Sequence, residues 1–508
     1  MQRRMFCRAL TGLATLATGG LALAAPAGTA DIGPDPYFKA FASQLEREPW
    51  TMGYEGLQGD AAAMPLRLTG RLPGDLRGAF YRNGPARHAL GGYRYHHYFD
   101  GDGMVQRYAI TDAGVSHTGR FVRTDKFKAD SAAGRPVRAS FGSNPPGAEF
   151  ADSADSINVA NTSLLRLGNG QMLALWEGGS ATRIDAATLQ TLGLQTWRGD
   201  LAGMPFSAHP KVESDGTVWN FGVSAAAGLL TLYRIDADGQ LLQATTFPVP
   251  QLAMVHDFAV TQRFLILPLP PFVFDRERAQ DGATFLDSYV WKPELGLRLL
   301  VVPKDGPDKP RWFTLPAGFV FHVANAWEDA DGSSLHLDLV RSDDASMVQD
   351  GFKSLMRGEF HGSSQPRLSL ITLDLKSGTA RQAVQPWIAE FPRVDPRLVA
   401  RRHRQIYTTL RIDPGPRPGF DAIVRFDRER GTLDRYRYGE QVMVEEHLFV
   451  PRTGAGEDGA GWVLGTALDL RQRAMLFSVF DAMHLADGPI AQGTLPRVMP
   501  LGLHGLWA

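Results

Sequence analysis

A chain of 508 residues with 44% hydrophobic, 21% charged and 10% aromatic side chains has an ordinary globular composition, which excludes disorder, collagen-like repeats and a polytopic membrane protein. Fifty-three Lys and Arg stand against 54 Asp and Glu, a formal net charge of −1, so nothing in the overall charge points to a nucleic-acid partner. The 54 glycines and 33 prolines are spread along the chain, as many short strands joined by turns require.

Residues 1–24 carry Arg3, Arg4 and Arg8 and no acid, then a small-residue apolar stretch from Leu10 ending in Ala22-Leu23-Ala24. This is the layout of a cleavable signal peptide. The apolar part is too short and too rich in Ala, Gly and Thr to span a bilayer. Arg3-Arg4-Met5-Phe6 resembles a twin-arginine signal, so the expected destination is the periplasm. Cys7, the only cysteine, leaves with the signal. The mature chain then has no thiol for a disulfide, a zinc finger, an iron–sulfur cluster or a nucleophile, and any metal must be held by His, Asp or Glu.

Residues 25–508 show no linker or composition break and are taken as one domain. Helical periodicity is confined to residues 36–47, 344–358 and 396–401. Elsewhere short apolar runs alternate with Asp-Gly, Gly-Asn-Gly and Pro-Gly turns: residues 78–82, 172–176, 217–221 and 462–465 are examples. These predict strands and hairpins, hence an all-β fold. So large a β domain must protect its edges, and a propeller of about four to eight four-stranded blades does so. The apolar stretch Leu265–Phe274 contains Pro268, Pro270 and Pro271, which argues against a helix or a central strand there. It suits a stiff loop at a tunnel mouth, a membrane-touching patch or a buried loop.

Four of the thirteen histidines lie in or beside apolar runs: His209 before Pro210-Lys211, His256 before Asp257-Phe258, His322 after Phe321, and His504 before Gly505. Each alone fits a core histidine satisfied by a hydrogen bond. Four together, without a thiol, point to an all-imidazole site suited to Fe, Cu, Ni or Zn. The residues themselves do not choose among these metals. His96-His97-Tyr98 followed by Asp100 and Asp102 mimics a metal cluster, but Asp-Gly pairs make turns and the segment is taken as structural. Residues 454–459 fit a dinucleotide pattern, yet they precede a strand and carry two acids, so that match is rejected.

The segment Leu72-Pro73-Gly74-Asp75-Leu76-Arg77-Gly78-Ala79-Phe80-Tyr81-Arg82-Asn83-Gly84-Pro85, followed by Phe99-Asp100-Gly101-Asp102-Gly103-Met104, resembles the opening signature of the carotenoid cleavage oxygenases. The four histidine settings match the same family in order, as do Trp291–Gly296, Glu390–Arg393 and Phe449–Arg452. The resemblance runs from about residue 35 to the end. It implies a seven-bladed β-propeller with a helical and loop cap over one face and one Fe(2+) per subunit on the axis. The implied ligands are His209, His256, His322 and His504, with Glu177, Glu390 and Glu446 behind them. Glu445 is adjacent, and spacing to the Phe-Val-Pro segment favours Glu446. A carboxylate on the far N–H of an imidazole fixes its tautomer and raises its basicity.

The family reaction is oxidative cleavage by O2 of a conjugated C=C bond into two carbonyl products. Thr162 matches a position near the open side of the metal in relatives; a strand-end hydroxyl bonded to backbone is the alternative. The expected substrate is an apolar conjugated small molecule, a carotenoid or apocarotenoid, with a hydroxylated stilbene as the alternative. Lys126, Tyr93, Tyr95 and Tyr98 are considered for phenol contacts and assigned no role. A relative that isomerises its substrate, and a metal-free binding propeller, are the remaining alternatives.

Overall fold

Runs of apolar residues between tight turns form antiparallel strands along almost the whole of the chain, and every pairing between named strands is antiparallel. The computed structural model describes residues 34–508 except 150, 307, 308, 363, 364 and 414. The signal segment expected over residues 1–24 lies outside them. The described strands make six sheets of four or more strands and two short two-stranded ribbons. One sheet has seven strands, between Phe319–Glu328 and Thr432–Arg437.

The two ends of the chain interlock. The early strand Arg67–Gly70 adds to the last sheet by pairing with Ala491–Leu495. The final strand Gly505–Trp507 adds to the first sheet by pairing with Gly78–Arg87. Each exchange covers a strand edge that would otherwise be open to another molecule. It also brings the last histidine of the chain onto the first long strand. Glycine makes that approach possible: a Cβ at Gly84 would lie 2.4 Å from the Cα of Gly502. The Asn83 backbone bonds two successive residues across the same contact, its N donating to His504 O at 2.9 Å and its carbonyl accepting from Leu503 N at 2.8 Å.

The three helical expectations are met in shortened form. Pro36–Gln44 is an α-helix, capped by Asp35, whose carboxylate accepts from Tyr37 N and Phe38 N, and Pro36 supplies a first-turn residue that needs no N–H partner. The second is a π-turn, Met347–Gly351, running into the α-helix Phe352–Met356. The third is a single 3-10 turn, Pro396–Leu398.

The Leu265–Phe274 expectation needs correction. Phe264–Leu269 is a strand inside its sheet, with Pro268 opposite Leu299. Its other neighbour, Ala259–Val260, reaches only Ile266 and Leu265. At Pro268 the ladder is one-sided, where a residue without an N–H is tolerated. Residues 265–273 are buried, and only Phe274 reaches a cavity wall.

Candidate metal centre

The four histidines come from four separate parts of the chain and converge. His209 precedes the short strand Lys211–Val212, His256 lies in the connection before Ala259–Val260, His322 is in Phe319–Glu328, and His504 directly precedes Gly505–Trp507. All four are buried, and one ligand atom from each lies within 4.8 Å of all the others. His209 Nε2 and His256 Nε2 are 3.0 Å apart, and His322 Nε2 and His504 Nε2 are 3.1 Å apart.

Carboxylates stand behind three of them. Glu177 Oε2 is 2.5 Å from His256 Nδ1, Glu390 Oε2 is 2.5 Å from His322 Nδ1, and Glu446 Oε1 is 2.9 Å from His504 Nδ1. A proton shared with a carboxylate sits on Nδ1 and leaves the lone pair on Nε2. His322 and His504 therefore aim two lone pairs at each other, and neutral rings so placed have no hydrogen bond to make. A shared cation is what such a donor set fits, and four imidazoles suit a borderline transition-metal ion.

Three β-bulges aim these groups. One extra residue intervenes between Val320 and Val323 around His322, between Glu390 and Arg393, and between Val444 and His447. A bulge breaks the in–out alternation of a strand and redirects side chains. That is why neighbouring Glu445 and Glu446 are both buried, at 4% and 1% exposure. Glu446 takes His504, Gly505 N at 2.6 Å and Arg393 Nε at 2.8 Å. Glu445 Oε1 instead accepts from Gly502 N at 2.5 Å and lies 3.9 Å from Arg82 Nε. At the Glu390 bulge Phe391 has φ 56°, a costly conformation for a bulky side chain. Its N–H donates to Glu390 Oε2 and its ring stacks on His322 at 5.2 Å.

Burial and the neighbouring charges act differently on the individual rings. Burial, reinforced by the other three histidines, holds His209 well below the ordinary imidazole range. Burial brings His504 down to about 3, against the opposing pull of Glu446. His256 is pushed up: burial alone would lower it, but Glu177, Asp257 and Glu390 together outweigh burial. Burial also opposes the charge on Glu446, yet Arg393, His504 and Arg82 hold its carboxyl well below the usual range.

His209 has no glutamate behind it. Asp257 Oδ2 is 4.0 Å from His209 Nδ1, and its carboxylate is held by Lys211 Nζ at 2.7 Å and Val323 N at 2.7 Å. Sequence reasoning gave Asp257 and Phe391 no role, although both lie in segments that match the family, Asp257 after His256 and Phe391 in Glu390–Arg393.

Thr162 is buried on the wall of the same cavity. Its hydroxyl donates to Asn161 Oδ1 at 3.1 Å rather than to backbone, and its carbonyl accepts from His504 N at 3.3 Å. The cavity has a volume of about 890 Å³, and its wall includes the aromatic side chains of Phe99, Trp176, Phe321, Phe352 and Phe391. Tyr98 is on its wall; Lys126, Tyr93 and Tyr95 are not. Lys126 is fully buried against Tyr95, Asp102 and Asp130. The His96–Gly103 segment is structural, as expected: His97 Nε2 meets Val348 O at 2.9 Å, and Asp102 pairs with Arg87 at 2.7 Å.

The family model described as retinal pigment epithelial membrane protein matches residues 57–508. The chain belongs to this family, the carotenoid cleavage oxygenases. It is 31% identical over 472 residues to isoeugenol monooxygenase of Pseudomonas putida, covering 88% of this chain and 95% of that protein. It is also 31% identical over 484 residues to apocarotenoid-15,15'-oxygenase of Synechocystis, covering 91% and 96%. The lignostilbene-alpha,beta-dioxygenase isozyme III of Sphingomonas paucimobilis is 31% identical over 477 residues, covering 89% and 94%. Among solved structures, the cobalt-substituted Synechocystis apocarotenoid oxygenase superposes with a TM-score of 0.82 at 29% identity, over 91% of this chain and 98% of that one. The mostly-β fold of this carotenoid cleavage oxygenase thus matches structures that are β-propellers.

Proposed function

We propose that this chain is a non-haem iron dioxygenase that splits a conjugated C=C bond of a carotenoid or apocarotenoid into two carbonyl products. The observation that carries the reading is four convergent histidines, three of them backed by glutamates and lining a large cavity, in a chain as similar to an apocarotenoid oxygenase as to an isoeugenol monooxygenase and a lignostilbene dioxygenase. His209, His256, His322 and His504 would hold one ferrous ion, which supplies the activation of O2 when bound. Glu177, Glu390 and Glu446 keep the Nδ1 protons of three ligands and so keep their Nε2 lone pairs directed at the ion. The apolar walls exclude water and hold one double bond of the substrate against the histidines. Thr162, pinned by Asn161, limits the space beside His504.

At about 890 Å³ the cavity lies toward the upper end of the roughly 300–1,000 Å³ of small-molecule sites, which favours a polyene over a stilbene. The lignostilbene relative supports the second reading, a stilbene dioxygenase. A seven-bladed reading is supported by dividing the seven-stranded sheet at Thr379–Arg393, a 15-residue strand whose early part pairs with Arg367–Asp374 and whose end pairs with Gln405–Arg411. On that reading the iron would lie on the propeller axis under a cap of helices and loops. Export to the periplasm fits the leading segment. Phe285, 44% exposed beside Phe274 at the cavity edge, fits peripheral membrane contact where an apolar substrate enters.

The test is product mass. With Fe(II) and O2, and no NAD(P)H, flavin or 2-oxoglutarate, purified protein should convert a polyene to two carbonyl fragments containing both oxygen atoms of O2. A product of unchanged carbon count, or an absolute need for a reducing cosubstrate, would overturn the reading. Preference for a 4-hydroxystilbene over every polyene would select the second reading.

A further inference from the structure

Two aromatic paths lead away from the histidines along the cavity wall. One runs from His256 through Phe321, Phe99 and Phe141 to Phe285, with successive ring centroids 5.2, 6.3, 6.1 and 5.9 Å apart. The other runs from His322 through Phe391 to Phe420, at 5.2 and 6.3 Å. Arg411 lies on the wall of the same cavity. It closes the strand Gln405–Arg411 directly opposite Ile388, two residues and so about 7 Å along its strand from Glu390. Among the described residues, Arg411 is the only Lys or Arg on the cavity wall.

Its guanidinium is fixed but not neutralised. Nε donates to Asp413 O at 3.2 Å, and one terminal nitrogen, Nη2, donates to Gly415 O at 2.7 Å and Arg417 O at 2.8 Å. The group lies 5.0 Å over the Phe360 ring. The other terminal nitrogen, Nη1, has no hydrogen-bond partner among the described residues, and none of their carboxylates comes within 4.0 Å of the group. The acids in its neighbourhood, Asp421 and Asp413, are engaged by Arg437 at 2.9 and 3.5 Å. Burial, and then Arg417, pull Arg411 below its ordinary value, and the opposing pull of Asp421 and Asp413 does not make up the difference. A half-buried cation held by three carbonyls, with one donor nitrogen unpartnered among the described residues and no second Lys or Arg beside it on the cavity wall, is an orienting contact for an anion.

We propose that Arg411 receives the terminal carboxylate of a conjugated acid substrate and thereby sets which double bond lies against the histidines. The inference rests on the reading above, that the cavity takes a conjugated chain, and narrows it to one with an anionic end. A guanidinium pairs with a carboxylate more strongly than with a neutral ester, so the acid should bind about tenfold or more tighter than its methyl ester of equal length.

The experiment uses the full chain and one polyene in two forms, the carboxylic acid and its methyl ester. Equilibrium binding is read from quenching of the protein's tryptophan fluorescence, Trp176 being on the cavity wall; cleavage is followed in parallel. The acid-to-ester ratio of Kd should favour the acid in the wild type, fall to near one in Arg411→Gln, and recover partly in Arg411→Lys. In turnover the change should appear in KM for the acid rather than in kcat, and the cleaved bond should become less uniform. Equal binding of acid and ester by the wild type overturns the proposal, as does an Arg411→Gln variant that weakens both equally. Because binding is read without turnover, a protein that cleaves neither compound refutes the dioxygenase reading while the Kd ratio still decides this one.

Discussion

Replacing Glu390 by Gln changes one charge behind His322 and almost no volume. In the native protein the carboxylate accepts from His322 Nδ1 at 2.5 Å and from Phe391 N, while the Thr409 hydroxyl holds the Glu390 carbonyl at 2.8 Å, so the main chain is anchored independently of the side chain. A glutamine oxygen still accepts from His322, but without charge. Hydrogen bonds to charged groups contribute about 1.5–3 kcal/mol net and neutral ones about 0.5–1.5. The loss is therefore about 1–1.5 kcal/mol, roughly tenfold in metal affinity, at the lower edge of the ~10–100-fold common for such partners. Glu390→Ala leaves two donors unpartnered at about 1–3 kcal/mol each and should cost about 100-fold or more. Chelator competition gives the affinity, and melting of the metal-free proteins shows whether the fold is retained. If Glu390→Gln binds metal and turns over within about twofold of wild type, the carboxylate does not tune His322.

His256→Ala should lower bound iron from about one per chain to a small fraction, because three imidazoles hold Fe(II) far less well than four; full occupancy by metal analysis would remove His256 from the site. Metal uptake should release a proton. His256 is raised above its ordinary value without metal, so it is protonated below that raised value and neutral above it, and affinity should climb by about a decade per pH unit until then. A flat affinity between about pH 6 and 8 would refute this, and Glu177→Gln should move the break to lower pH. Replacing Arg3 and Arg4 by Lys should leave the precursor in the cytoplasm, since Lys lacks the planar guanidinium; normal periplasmic recovery by fractionation would contradict a twin-arginine signal.

The sequence carried the chemistry of the site better than its geometry. Imidazoles in apolar runs are chemically out of place, and this marked His209, His256, His322 and His504 before any contact was known. Which acid stands behind which ring was harder, because strand parity assumes unbroken alternation. In Glu445-Glu446 parity allows one residue inward, whereas the bulge between Val444 and His447 buries both. Pro268 misled for a similar reason: a proline excludes a fully paired strand, but the neighbouring strand ends too early to pair at that rung. Arg411 gave no signal at all, since an arginine ending a polar-flanked strand is ordinarily solvated. Its place on the cavity wall depends on the long-range pairing with Ile388.

The charged groups around the histidines favour a cation among the rings. Glu177, Glu390, Glu446 and Asp257 lie against the four rings, and Glu445 joins them through Arg82. The cations that answer them are Arg82, Arg393 and Lys211. Carboxylates thus outnumber the basic side chains packed among them, and a cation between the rings would offset that excess. The raised His256 is the same imbalance seen without the ion: a proton takes up part of the charge that the metal would supply. The carboxylates thus do two things at once, fixing the tautomers that direct the lone pairs and surrounding the rings with acidic groups that favour a cation between them.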